Sequence, residues 1–149
     1  MSNTKPLKRP LRTASVATTA LAALLSLGAT AAHALDLTVE VSGTRSTQGD
    51  VLAGLYADGE QWLKKPFRGE RVAAGDRVVI VFRNLPAGRY ALTVFHDENR
   101  NGKVDTNMMG MPTEPLGYSR DAKGTFGPAK FDDAVLSVDS DTTIKVTLQ

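Results

Sequence analysis

Apolar and polar residues alternate from Leu35 to Val41, where Leu35, Leu37, Val39 and Val41 are separated by Asp36, Thr38 and Glu40. That period of two predicts a strand with one buried and one wet face. Residues 51–57 predict a second strand, in which Gly54 marks a bulge or a close backbone approach. Residues 77–82 read Arg-Val-Val-Ile-Val-Phe. They are strongly β-branched and too short for a convincing helix, so they predict a central, well-buried strand. Leu85-Pro86-Ala87-Gly88 then supplies a tight turn, because Pro presets φ and Gly tolerates a positive one. Residues 90–95 return from it, and the two strands predict a hairpin. Residues 134–138 and 143–148 add two more strands, the last with Ile144, Val146 and Leu148 facing inward. About six or seven short strands and no long amphipathic helix indicate an all-β fold, a single antiparallel β-sandwich.

The stretch from about residue 97 to 133 breaks this rhythm. It is rich in Gly, Pro, Asn and Asp and much longer than an ordinary connection, and loops of that kind are commonly functional or disordered. Met108, Met109, Met111, Tyr118, Phe126 and Phe131 are spread through it. Such side chains favour a loop packed against the sheet.

The N-terminus has a different pattern. Lys5, Lys8, Arg9 and Arg12 precede an uncharged Ala- and Leu-rich run from about Val16 to Leu27, and Ala32-His33-Ala34 follows. This order predicts a cleavable signal peptide over residues 1–34 and a β-sandwich domain over 35–149. The apolar run is shorter than the roughly 20 residues of a membrane span, so no span is expected after cleavage. Localisation is therefore expected to be periplasmic or secreted. The chain has no Cys, so stability must come from the core or from a bound ion.

Cleavage also changes the charge. Of 18 Lys and Arg, four lie in the leader, and the remaining 14 face all 16 Asp and Glu. The domain is then slightly acidic, although the full chain carries +2. This removes the electrostatic case for nucleic acid. The expected partner is an unknown protein or glycan of the cell envelope.

The most distinctive chemistry lies in residues 97–105. Asp97, Asn99, Asn101 and Asp105 hold the first, third, fifth and ninth positions of a run in which Gly102 is sixth and Lys103 offers a backbone carbonyl. Alternate oxygen ligands around a turn-forming Gly make up the front of a calcium loop. The twelfth position, where an EF-hand places a bidentate Glu, is Met108. Glu98 or Glu114 would have to fold back in its place, and with so few charges calcium would be held weakly. The same residues also suit an Asx-rich turn that bonds only its own backbone.

Three other groups were considered. His96, with Met108, Met109 and Met111, offers imidazole and thioether donors of the kind that suit Cu(I), which defines an alternative role as a periplasmic metal-handling protein. Against it, Met often simply fills irregular gaps, and a strand-end His is often bonded within a loop. A hydrolase is the third reading, built on His96 and Ser119 or on a Glu98/Glu114 pair. Gly117-Tyr118-Ser119-Arg120-Asp121 lacks the final Gly of a nucleophile elbow, and the spacing gives a triad no support. Trp62, Lys64, Lys65, Phe67, Arg68 and Arg71 interleave aromatic and basic groups that could meet sugars or anionic polymer, or could simply anchor an irregular connection.

The runs Asn84-Leu85-Pro86-Ala87-Gly88-Arg89-Tyr90-Ala91, Val94-Phe95-His96-Asp97-Glu98-Asn99 and Asn101-Gly102-Lys103-Val104-Asp105 occur in that order. Gly110-Met111-Pro112-Thr113-Glu114, Gly117-Tyr118-Ser119, Gly127-Pro128 and Phe131-Asp132-Asp133-Ala134 follow. This series resembles the bacterial family called domain of unknown function 2141. The resemblance implies an exported sandwich of the prealbumin or carboxypeptidase-regulatory type, with no known activity. The turn followed by Tyr is also similar to the collagen-adhesin B-type repeat, a calcium-stabilised structural module. The expectation is thus a non-enzymatic binding or structural module, with calcium as its one candidate cofactor.

Overall fold

The computed structural model describes Met1 and residues 34–149. The predicted signal peptide therefore lies outside the described residues, apart from its two ends. Eight strands are found among the described residues: β1 (Leu35–Ser42), β2 (Asp50–Tyr56), β3 (Arg68–Ala73), β4 (Val78–Leu85), β5 (Gly88–Asp97), β6 (Leu116–Tyr118), β7 (Leu136–Val138) and β8 (Thr142–Thr147). Helical structure is confined to single turns, including α1 (Phe131–Ala134).

The strands form two sheets. One is three-stranded in the order β4-β1-β8, and the other runs β3-β2-β5-β6 with β7 paired to the start of β5. All pairs are antiparallel except β1 with β8, which run parallel from Leu37↔Thr142 to Ser42↔Thr147. Between the sheets lies one core, to which Leu37, Val39, Ile80, Phe82 and Val146 contribute from one side and Val51, Leu55, Leu92 and Val94 from the other. The alternation seen in the sequence is the cause, since every second residue of β1, β2 and β4 points into this layer. The fold is an all-β sandwich, as the pattern predicts.

The pairing differs from the expectation at one important point. β4 and β5 do not form a hairpin: β4 pairs β1, and β5 pairs β2. Residues 85–88 instead carry the chain from one sheet across to the other. A Pro-Gly turn is equally compatible with both connections, and what differs is the burial that follows. Tyr90 turns into the core and its hydroxyl donates to the Pro86 carbonyl at 2.8 Å, which ties the corner to the strand it feeds. β4 also lies at an edge of its sheet and is not central. Its buried residues are Val78, Ile80, Phe82 and Leu85, with Val79 exposed between them.

β5 is covered on both faces. Tyr90, Leu92, Val94 and His96 face the core, while Ala91 and Thr93 are buried on the opposite side. There a second apolar cluster joins Ala91, Tyr118, Ala129 and Ala134, with Trp62 and Phe131 packed against it. Trp62 is the hub. Its ring lies 4.9 Å from Tyr56, 5.9 Å from Tyr118 and 5.8 Å from Phe131, and its Nε1 donates to the Ala129 carbonyl at 2.8 Å. Of the aromatic and basic run, Trp62 is therefore an anchor. Arg68 and Arg71 belong to β3, a strand the sequence reading takes for irregular chain because its alternation is of charged and small residues.

The expected 97–133 loop contains β6, and Ser119 hooks its distal part onto β5. Fully buried, the Ser119 hydroxyl accepts from Leu92 N–H at 2.9 Å and donates to the Ala134 carbonyl at 2.5 Å. Of the six apolar residues expected to pack under this loop, Tyr118 and Phe131 do so. Met108, Met109, Met111 and Phe126 are exposed.

Replacing Ser119 with Ala leaves the buried Leu92 N–H without an acceptor. It is expected to cost about 2 kcal/mol, against about 1 kcal/mol for Tyr90→Phe, whose lost acceptor is a carbonyl nearer solvent. Urea unfolding of the two variants checks the order.

Burial raises the ionisation of Tyr56, Tyr90 and Tyr118 above the ordinary phenol value, opposed at Tyr56 by a hydrogen bond with Thr93 and at Tyr118 by one from Ala129. The unfolded chain releases these protons near pH 10 while the folded chain still holds them. Stability is thus intact below about pH 10 and falls as pH rises through the folded-state values. Phenolate absorbance that lags behind free tyrosine, with melting temperature dropping over the same range, is the expected result.

Candidate functional site

β5 ends in two polar residues, His96 and Asp97, each with 0% of its surface exposed. Both act as anchors for loops. His96 sits on the core side, where Nε2 lies 2.7 Å from the Gln48 carbonyl and Nδ1 accepts the Arg45 N–H at 3.3 Å. Nε2 therefore carries the proton and donates it. Arg45 in turn reaches the Thr113 carbonyl through Nη1 at 2.7 Å. The 43–49 loop is thus strapped between His96 and the far limb of the long loop. Gly49 completes the junction, because its φ is +78° and a Cβ there would collide with the Asp97 carbonyl oxygen.

Asp97 organises the turn that follows. One carboxylate oxygen accepts Asn101 N–H at 3.0 Å and the other accepts Gly102 N–H at 2.7 Å. Asn99 Oδ1 also accepts Asn101 N–H at 3.0 Å, and Asn101 Oδ1 accepts Lys103 N–H at 2.8 Å. These closures require the chain to enter the left-handed region at Arg100 and Gly102, with φ of 63° and 76°. The Asp105 carboxylate then receives both side-chain amides, Asn99 Nδ2 at 2.6 Å and Asn101 Nδ2 at 2.9 Å. Asp97, Asn99, Asn101 and Asp105, all picked out by spacing, are brought into one closed turn.

Glu114 is what the spacing could not place. It is buried and folds back as a strap, with Oε1 accepting Glu98 N–H and Oε2 accepting Asp105 N–H, each at 3.0 Å. Its partners are backbone groups on either side of the turn. Asp50 is a second unforeseen member, lying between Arg71 at 3.5 Å and Arg100 at 3.4 Å. No local sequence signal marks either acid, since each acts through residues far away in the chain.

The turn offers two carboxylates, two amide oxygens and the Lys103 backbone, all hard donors suited to calcium. Among the described residues, no group of three or more His, Cys, Asp or Glu is placed to hold a metal ion. Any cation here must therefore rely on amide and carbonyl oxygens. Both Asn amides now turn nitrogen toward Asp105, so coordination by their oxygens requires rotation about the final side-chain bond.

The soft-metal and hydrolytic groupings are not assembled in this way. Both His96 ring nitrogens are engaged, while Met108, Met109 and Met111 stand exposed on a small hairpin closed by the Thr106↔Pro112 bridge. Asn107 builds its tip, with its side-chain oxygen accepting Met109 N–H at 2.9 Å and Met111 N–H at 3.0 Å. The Ser119 hydroxyl is bonded to Leu92 and Ala134, away from any imidazole. Glu98 and Glu114 are joined through backbone and do not form a facing carboxylate pair.

Fold and loop together define a small all-β sandwich domain with an oxygen-rich turn clasped over the end of β5. The chain belongs to the family described as an uncharacterised protein conserved in bacteria, domain of unknown function 2141, whose model matches residues 39–145. The match runs from within β1 to within β8 and includes the whole of the turn. No curated protein and no solved structure matches the chain.

Because His96 satisfies two backbone groups at once, His96→Ala is expected to destabilise the fold by about 3 kcal/mol or more. His96→Gln should recover part of that loss by supplying one donor to Gln48. Denaturant unfolding gives the energies. Hydrogen exchange at residues 43–49 should rise first, and unchanged protection there would separate His96 from the strap.

Proposed function

We propose that the protein is an exported, non-enzymatic binding module whose 97–105 turn takes calcium. The observation that carries this reading is the closure of Asp97, Asn99, Asn101 and Asp105 into a single turn over a left-handed Gly102. Calcium would be held by those four side chains and the Lys103 carbonyl. When bound it supplies an ionic cross-link in place of side-chain amide bonds. Asp97 fixes the first ligand position through its two loop N–H groups. Glu114 holds the start and the end of the turn at a set distance. The set carries few charges, so affinity is weak and suited to compartments where calcium is plentiful.

Export rests on the signal pattern of residues 1–34, which also makes the working domain slightly acidic and sets its place as periplasmic or secreted. The non-enzymatic reading is supported by the occupied hydrogen-bonding positions of His96 and Ser119. Its partner is then a protein or glycan of the cell envelope.

Thermal melts in calcium, in chelator and with Asp97→Ala or Asp105→Asn test the calcium reading. At about ten times Kd, calcium stabilises by about 1.4 kcal/mol, a rise of about 5 °C for a domain of this size. The native protein should show that rise and neither variant should. Identical melts of the native protein with and without millimolar calcium would dismiss the cation.

A further inference from the structure

The outer face of the larger sheet has a gap in its side-chain cover. Across β3, β2 and β5, Arg71, Leu52 and Phe95 form one row, and Gly69, Gly54 and Thr93 form the next. Two adjacent glycines leave the second row almost bare. The result is a trough of about 310 Å³, with Tyr56 and Pro66 along one wall and Leu52 and Phe95 along the other. That is the lower end of the range for small-molecule sites.

The two glycines are there for different reasons. A Cβ on Gly54 would press on the Tyr56 ring at 3.1 Å and on the Thr93 hydroxyl at 3.2 Å, so packing alone accounts for it. On Gly69 a Cβ would meet only the Ala53 carbonyl, at 3.9 Å. Gly69 has no left-handed φ, and glycine weakens a strand. The fold thus gives no reason for a bare position at 69, whereas a ligand lying over it would.

The chemistry at one end is definite. Arg71 borders the trough with half its side chain exposed. Its partner Asp50 is shared with Arg100, so two guanidinium groups face one carboxylate and one positive charge is left over. Glu70 also borders the trough, but alternation along β3 sends its side chain to the opposite face from Gly69 and Arg71. Tyr56 and Thr93 already bond each other. Arg71 is therefore the trough's free polar group, a donor that calls for an anionic acceptor.

We propose that this trough binds a small monocarboxylate with an aromatic or branched apolar body, its carboxylate on Arg71 and its body over Gly69 and Gly54. This gives the binding-module reading a ligand class and uses none of the calcium argument. The test is amide-resolved NMR of the whole protein in chelator, titrated with 3-phenylpropionate, hexanoate and the uncharged 3-phenylpropanol. Saturable millimolar shifts centred on Gly54, Gly69 and Thr93 are expected with the carboxylates. Phenylpropanol should bind about ten-fold more weakly, as should phenylpropionate to Arg71→Gln, which loses a charge-assisted hydrogen bond. Gly69→Val should fill the trough, fold at least as stably because a β-branched residue suits a strand, and lose the shifts. The proposal is overturned if neither carboxylate gives saturable shifts there, if the alcohol binds equally well, or if a folded Gly69→Val binds as before.

Discussion

A strand covered on both faces cannot leave polar side chains unpaired without a large desolvation cost, and β5 carries His96 and Asp97 fully buried at its last two positions. Their partners must come from elsewhere in the chain. His96 takes two backbone groups from the 43–49 loop and Asp97 takes two from the turn that follows it. The loops at this end of the sandwich are therefore parts of one hydrogen-bonded unit, to which Arg45 and Glu114 add cross-ties. Every buried side-chain polar atom among the described residues has a partner, as this constraint requires.

Much of the fold was legible because a half-buried strand leaves its period in the sequence. β1, β2, β4, β5 and β8 were all visible in this way. β3 was not, since an edge strand reading Arg-Gly-Glu-Arg-Val-Ala has little apolar alternation to show, and three-residue β6 is too short to have a period. Pairing was harder still. The Pro86-Gly88 corner has the local chemistry of a hairpin turn, and only contacts distant in sequence decide that β4 goes to β1 and β5 to β2. In the candidate site, Asx spacing identified the turn, whereas Glu114 and Asp50 act across gaps that no local motif records.

The two sheets meet solvent differently. The smaller one turns residues such as Thr38, Glu40, Thr143 and Lys145 outward. The larger one has a second layer of cover centred on Trp62, which stops short of the Gly54 and Gly69 row. Aromatic packing on one side and a bare row on the other give this face a sealed part and an open part within one continuous sheet. The exposed Met hairpin lies beyond both, rigid at its Asn107 tip yet free of the core.

The parallel pairing of β1 with β8 brings together segments about as far apart as the domain allows, with Asp36 N–H bonded to Asp141 across 105 positions of sequence. β1 is the middle strand of its sheet, so that sheet has no complete form until the final residues are present. Contacts of such long range form late and slowly. A chain emerging from the ribosome thus cannot close its sandwich prematurely. It remains threadable for as long as synthesis lasts, which is the state that passage through a narrow translocation channel demands.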